Sequence, residues 1–173
     1  MDKLWTGRTA GTTDRTADDF NSSLPFDRRL YPQDIGGSIA HAKMLAKQGI
    51  LAQAESARIV RGLKAILRDL DEGALPFPTD CEDIHSFVEQ ELTGRIGESG
   101  KKLHTARSRN DQVVLDLRLY LRSETDALTE EIHGLIRALL EQAEAHKDAV
   151  MPGYTHLSAR SRSCSPTICS PTA

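Results

Sequence analysis

An unusual density of hydrogen-bond donors lies between His104 and Gln112, where the sequence reads HTARSRNDQ. A guanidinium such as that of Arg109 can donate two parallel hydrogen bonds to a planar carboxylate. Ser108 and Asn110, with the free N–H groups of a helix start, can complete an anion pocket. The segment therefore indicates a site for a substrate that carries carboxylates. The alternative interpretation, an N-terminal helix cap with solvated charges, stays open on these residues alone.

A second polar cluster follows Pro152 and Gly153, where Thr155 and His156 come together in the sequence MPGYTHL. A histidine can act as general acid or base because its pKa lies near neutrality. A lone histidine after such a turn can equally be structural. No metal-ligand spacing joins the six histidines to one another or to cysteines, and no dinucleotide fingerprint or nucleophile elbow is present. The sequence therefore predicts neither a metal nor an organic cofactor.

One long helix separates the two clusters. No proline interrupts residues 109–147, where apolar residues recur at spacings of three and four with one interruption, at Val114, Leu117, Leu121, Leu128, Ile132, Leu135, Leu139 and Ala143. This periodicity is typical of a helix that packs lengthwise against other helices. It predicts a large, intermolecular helical bundle.

Three shorter helices are predicted before it. The first runs from Gln33 to a stop at Gly49, the second from Gln53 to Asp71 with Gly73 after it, and the third from Asp80 to Arg95. Residues 1–19 show no period and are predicted to form an extended arm. No segment alternates convincingly as a strand, so the predicted fold class is all-α.

Composition limits the class of protein. The chain has 173 residues, 39% hydrophobic and 27% charged, as in a globular domain, or in one domain and a fragment. The net charge of −3 argues against nucleic-acid binding. No apolar run could span a membrane or act as a secretory signal, and three cysteines do not form a disulfide framework. A cytoplasmic protein is expected.

Five segments resemble the argininosuccinate lyases of the fumarase/aspartase superfamily. They occur in that family's order, cover nearly all of residues 1–157, and are KLWTGR at Lys3, FNSSLPFDRRLYPQDIGGSIAHAKML at Phe20, EDIH at Glu82, GKKLHTARSRNDQVVLDLRLYLR at Gly100 and MPGYTHL at Met151. The combination of HTARSRND with GYTH is highly specific. One departure is Thr9, where the family usually has Phe.

The resemblance implies an N-terminal helical domain and a reaction, the reversible β-elimination of argininosuccinate to arginine and fumarate without any cofactor. It also implies a homotetramer whose active sites each combine segments of three subunits. The positions that match the family's substrate-binding residues, or adjoin them, are Ser23, Ser108, Arg109, Asn110 and Thr155. His156 matches the active-site histidine, and His85 is a supporting candidate.

The resemblance stops after Leu157. The family's mobile serine loop is absent, so two of three site segments are expected here, in a fragment inactive by itself. Residues 1–106 are expected to form the arm and helical domain, residues 107–157 the first bundle helix and GYTH turn, and residues 158–173 an aberrant, disordered tail. With synonymous codons chosen for residues 158–173, one nucleotide inserted near the Leu157 codon restores the family's Gln-Arg-Ala-Gln-Pro, which predicts a frameshift. The alternatives are a non-catalytic helical association protein and a sister lyase with another succinyl substrate.

Overall fold

A computed structural model describes residues 15–78, 81–155 and 158–164, so most of the predicted N-terminal arm lies outside the described residues. The described helices are α1 (Arg15–Asn21), α2 (Leu24–Asp27), α3 (Tyr31–Lys47), α4 (Gln53–Asp71), α5 (Ile84–Ile96), α6 (Glu98–Lys101) and α7 (Arg109–Ala145). Short 3-10 turns occupy Arg28–Leu30 and Lys102–His104. The predicted helical fold is confirmed. Within these residues no helix is long and apolar enough to cross a membrane.

The chain divides into two compact units, Met1–Leu121 and Arg122–Ala173. This division falls inside α7, whereas the boundaries drawn from the sequence follow the motifs at residues 106/107 and 157/158. The difference has a physical reason, because only the first turns of α7 bury side chains, those of Gln112 and Asp116.

The core of the first unit lies between α3, α4 and α5. Its completely buried aliphatic side chains come from all three helices and are Ile35, Ala42, Leu45, Ile59, Leu63, Ile66, Ile84 and Leu92. In α4 the other side is polar, as expected when one apolar stripe faces a shared core, whereas the first five residues of α5 are all buried. Gly49 and Gly73, predicted to end α3 and α4, have φ values of 73° and 69°. These left-handed conformations favour glycine, so both predicted helix ends are confirmed.

A close approach between α4 and α5 depends on Gly62. A Cβ atom at that position would lie 2.6 Å from Leu92 Cδ1 and 3.3 Å from Ile96 Cγ2. The missing side chain lets α5 pack directly on the backbone of α4. This contact fixes the position of α5, whose first residues form part of the candidate site.

The predicted long helix is confirmed as α7, which ends at Ala145, two residues before the predicted end. Its apolar seam is largely exposed in this chain: Leu121 is 53% and Leu135 is 61% exposed. The burial of this seam against helices of other subunits stays a prediction.

The segment after α7 differs from expectation. β1 (Val150–Thr155) pairs with β2 (Ser158–Cys164) in an antiparallel hairpin with an irregularity between Gly153 and Tyr154. Residues 158–164 form β2 where a disordered tail was expected, and residues 165–173 lie outside the described residues. The separate, aberrant tail stays a prediction. Strand pairing uses backbone N–H and C=O groups, so a polar segment such as SARSRSC can form a ladder without an apolar face. The frameshift concerns the gene and stays a prediction that its nucleotide sequence can test.

Candidate functional site

The start of α5 organises one side of the candidate site. Asp83 is the N-cap residue, and its Oδ1 accepts a hydrogen bond of 2.6 Å from the Ser86 N–H. The predicted start at Asp80 is therefore wrong, because Asp83 is extended and α5 begins at Ile84. A capping carboxylate satisfies a helix-end N–H group that would otherwise lack a partner.

Ser23, a predicted substrate-binding residue, is anchored to this cap. Its backbone N–H donates to the Glu82 carbonyl at 2.8 Å, and its hydroxyl donates to Asp27 Oδ2 at 2.6 Å. The other oxygen of Asp27 accepts from the Ile84 N–H at 3.2 Å. Burial raises the pKa of Asp27, although its hydrogen bond from Ser23 opposes that shift. Ser23 thus has a defined, half-buried position beside the α5 start.

The RSRND segment forms the opposite side. Ala106 has a φ of 55°, so the chain turns through a left-handed residue shortly before α7 begins. Ser108 Oγ then accepts a hydrogen bond of 3.2 Å from the Asn110 N–H. The side chains of Ser108 and Asn110 are exposed. These two residues therefore offer polar groups to a ligand at the first turn of α7.

Arg109 connects the two sides. Its guanidinium donates to Gln112 Oε1 at 2.7 Å and to Glu89 Oε2 at 3.3 Å, and its Nε lies 3.9 Å from Asp83 Oδ2. The structure therefore brings Arg109 together with the cap that holds Ser23. Two of the guanidinium's N–H groups already have partners within the chain. Arg109 in this chain aligns the first turn of α7 with α5.

His85 occupies a buried position behind this surface. Its side chain is 2% exposed, and Nδ1 lies 3.0 Å from Asp34 Oδ1 and 3.4 Å from Asp116 Oδ2. Burial disfavours the imidazolium, but the hydrogen bond and the charge of Asp34 outweigh burial and raise the pKa of His85. Burial, and then the charge of Asp34, raise the pKa of Asp116 to about 7.

Asp34 and Asp116 are functional candidates that sequence reasoning missed. Each is 1% exposed, and the side-chain amide of Gln112 also donates to Asp34 Oδ1. A signal was present, since each aspartate occupies a helical position among apolar residues, in DIGGSI and VVLDLRL. Buried carboxylates require partners, so such positions predict a polar network.

A cavity of about 260 Å³ lies beside this network and is lined in part by Gly37, His41, Met44, Arg107 and Asp111. Arg107 donates to Ser38 Oγ at 3.0 Å, and His41 Nε2 lies 2.9 Å from the Thr105 carbonyl oxygen. Burial lowers the pKa values of both Arg107 and His41. The cavity therefore places one cation and one neutral imidazole near the RSRND turn.

The remaining predicted residues belong to the second unit or lie outside the description. Thr155 is the last residue of β1. His156 lies outside the described residues. The structure thus groups Ser23, His85 and Arg109 around the α5 start, with Ser108 and Asn110 adjoining Arg109.

Comparisons with known proteins agree with the resemblance in sequence. Residues 7–160 match the family described as lyase. The argininosuccinate lyase of Pelobacter propionicus is 57% identical over 156 residues, which cover 90% of this chain and 34% of that relative. The argininosuccinate lyase of Heliobacterium mobile is 56% identical over 155 residues, with the same coverage of 90% and 34%. The chain thus spans about a third of the length of these curated relatives.

Solved structures show the same fold. An EDDS lyase variant with bound fumarate has a TM-score of 0.63 and 27% identity, and the match covers 89% of this chain and 30% of that one. A fumarate lyase from Mesorhizobium sp. BNC1 has a TM-score of 0.60 over 93% of this chain and 37% of that one, and at 21% identity it supports the fold alone. Because the family match runs from residue 7 to residue 160, the chain belongs to the lyase family.

Proposed function

We propose that this chain supplies substrate-binding segments of an argininosuccinate lyase, which eliminates arginine from argininosuccinate and releases fumarate. The observation that carries the proposal is 57% identity to an argininosuccinate lyase over 156 residues, a range that includes the RSRND and GYTH motifs. An EDDS lyase of similar fold holds fumarate, which supports chemistry at a succinyl group.

The reaction removes a proton from the succinyl Cβ, forms the carbon–carbon double bond and breaks the bond between the succinyl carbon and the guanidinium nitrogen. The departing nitrogen regains a proton, so fumarate and arginine leave with atoms balanced. The carboxylates of the substrate require hydrogen-bond donors at fixed positions. Ser108 and Asn110 are exposed at the α7 start and would supply such donors, while the Glu82 carbonyl anchors Ser23 next to the α5 cap.

The charged and catalytic groups have separate proposed roles. Arg109, paired with Glu89, would orient this first turn and contribute positive charge toward a carboxylate. Thr155 would bind substrate, and His156 would transfer a proton, acting either as base or as acid to the departing nitrogen. The buried position of His85 suits a supporting role. No metal or organic cofactor is assigned a step.

The same proposal includes the oligomeric state of the enzyme and its cellular compartment. The apolar seam of α7 would be buried between subunits of a homotetramer, and each active site would combine segments from different subunits. The enzyme would act in arginine biosynthesis in the cytoplasm. No observation favours the non-catalytic alternative or a different succinyl substrate over this function.

A chimera tests the proposal directly. Residues 7–157 of this chain would replace the matching segment of the Pelobacter propionicus relative, which supplies the rest of the site. We expect fumarate release from argininosuccinate, followed by its ultraviolet absorbance, and little or none from adenylosuccinate or aspartate. The purified 173-residue chain by itself is expected to release none.

Substitutions in the chimera assign the residues. Asn110→Ala and His156→Asn are each expected to lower turnover by about 10²–10³-fold, the usual effect of losing one transition-state contact. Asp126→Ala, an exposed change on the same helix as Asn110, serves as the matched control. A folded, assembled chimera without activity toward argininosuccinate would overturn the proposal.

A further inference from the structure

Three ionisable side chains from three different helices meet inside the first unit. Asp34 comes from α3, His85 from α5 and Asp116 from α7, and they are 1%, 2% and 1% exposed. Imidazole Nδ1 of His85 faces a carboxylate oxygen of each aspartate, at 3.0 Å and 3.4 Å. A carboxylate oxygen of each aspartate and a ring nitrogen of His85 all lie within 4.8 Å of one another. We refer to these three residues as the buried triad.

The triad includes one of the two buried side chains of α7. The buried side chains of this helix are Gln112 and Asp116, and the amide of Gln112 also donates to Asp34. The apolar side chains around them are only partly covered, with Val113, Val114, Leu115 and Leu117 between 38% and 49% exposed. Leu115 approaches Gly37 of α3, and Tyr120 packs against the core. The fully buried contacts that hold these first turns against α3 and α5 are therefore polar.

Charge balance requires the triad to retain protons. Two ionised carboxylates in contact would repel each other strongly in a site that excludes water. The charged groups that face the triad are Arg107, Arg109, Asp27 and Asp83. The two arginines do not remove that repulsion, because Arg107 also faces Glu89 and Arg109 pairs with Glu89. A proton on Nδ1 and a second proton between the carboxylates satisfy the observed contacts.

We propose that Asp34, His85 and Asp116 act as positioning residues that share their protons across three helices and thereby hold the RSRND turn in place. The relevance of that turn to substrate rests on the proposed function. The docking itself is a property of this chain and can be tested without any activity.

A divalent cation is the competing explanation for such a cluster, since the three ligand atoms lie within 4.8 Å of one another. The orientation of Gln112 opposes it, because its amide N–H group, and not its oxygen, faces the Asp34 carboxylate. Adding a chelator should leave the unfolding midpoint unchanged if the triad shares protons, and should lower that midpoint if the triad binds a cation.

The stability of the folded chain is expected to fall as pH rises. Asp116 has a raised pKa of about 7 in the folded chain against 3.8 when unperturbed, so its stabilisation is lost as pH rises between these values. His85 also has a raised pKa, so its stabilisation is complete below 6.5 and is lost as pH rises through its folded value. Both residues therefore make the folded chain less stable at alkaline than at mildly acidic pH.

The experiment compares the complete 173-residue chain with its Asp116→Asn variant by urea unfolding from about pH 5 to about pH 8. The neutral amide cannot ionise, so the ratio of folded to unfolded protein should fall at least tenfold more in the wild type across this range. Asp126→Asn, an exposed change on the same helix, should follow the wild type. Parallel curves for wild type and Asp116→Asn would overturn the proposal.

A second readout uses the unmodified chain, so it remains valid even if Asp116→Asn fails to fold. In ¹⁵N-labelled protein, the imidazole nitrogens of His85 and the backbone amides of Arg107, Ser108 and Asn110 should titrate with one midpoint. Absence of any titration in those amides would show that the triad does not position the turn. A lower unfolding midpoint on adding EDTA would also reject proton sharing, in favour of a bound cation.

Discussion

Asp83 serves two neighbouring parts of the candidate site. Its Oδ1 caps α5 through the Ser86 N–H, and its Oδ2 lies 3.9 Å from Arg109 Nε. The adjacent Glu82 carbonyl accepts the Ser23 N–H. A change at Asp83 is therefore expected to affect the stability of α5 and the alignment of both predicted binding segments.

Replacing Asp83 by alanine removes the acceptor of the capping hydrogen bond. We expect Asp83→Ala to lower the free energy of unfolding by about 0.5–2 kcal/mol, because the Ser86 N–H loses its partner. Asp83→Asn keeps a capping oxygen and should cost less. Urea unfolding at neutral pH measures both variants, and equal stability of Asp83→Ala and wild type would contradict this role for the cap.

The sequence reveals some site residues and hides others for a physical reason. Ser108, Arg109 and Asn110 stand next to one another, so their shared chemistry is visible without a fold. Asp34 and Asp116 each stand apart from other site residues in the sequence. The role of each depends on contacts with side chains on other helices. The hydrogen bond from Gln112 to Asp34, for example, spans 78 positions.

Glycines in helices have opposite roles within the first unit. A methyl group at Gly94 in α5 would meet no heavy atom within 4 Å, whereas one at Gly62 in α4 would adjoin Leu92. An interior glycine weakens a helix because its unfolded state has more conformations. At Gly62 the close packing of two helices compensates for the weaker helix. At Gly94 no such contact compensates for it.

Gly94→Ala is therefore expected to raise the free energy of unfolding by about 0.5–1 kcal/mol. Gly62→Ala has the same effect on helix propensity, but its methyl group would lie 2.6 Å from Leu92 Cδ1 and must displace that side chain. We expect Gly62→Ala to be less stable than Gly94→Ala, and thermal unfolding of the two variants provides the comparison. The reverse order would show that α5 can move away from α4 without cost.

The helices that could be predicted are those with a long apolar period. The limits of α4 agree with the sequence prediction at both ends, and α7 begins at the predicted Arg109. The start of α5 was placed too early, because carboxylates before a helix and carboxylates in its first turn give the same sequence signal. The hairpin was missed because β2 has no apolar alternation.

The seam of α7 exposes several large apolar side chains in the described chain. Leu128, Ile132 and Leu135 are 56%, 48% and 61% exposed and follow one another at helical spacing. A contiguous apolar surface of this kind indicates an interaction site. Burial of the seam in a tetramer belongs to the proposed function.

Substitutions on α7 test self-association of the chain. We expect Leu128→Ala and Leu135→Ala to shift the 173-residue protein toward smaller species in sedimentation velocity, because each removes apolar area from the shared surface. Glu130→Ala lies on the other face of the helix and serves as control, since two residues turn a helix by about 200°. Unchanged sedimentation of both leucine variants would argue against association through this seam.

The contacts that α7 makes with the triad also determine when the site can form during synthesis. Gln112 follows Asp34 by 78 positions, and translation adds about 5–20 residues each second. The ribosome therefore needs about 4–16 s to reach Gln112 after making Asp34. Helices α3, α4 and α5 can assemble their apolar core in that interval. Asp34 and His85 can pair with each other in that interval, whereas Asp116 and Gln112 reach them only after α7 has been made. The RSRND turn is therefore a late addition to an existing core.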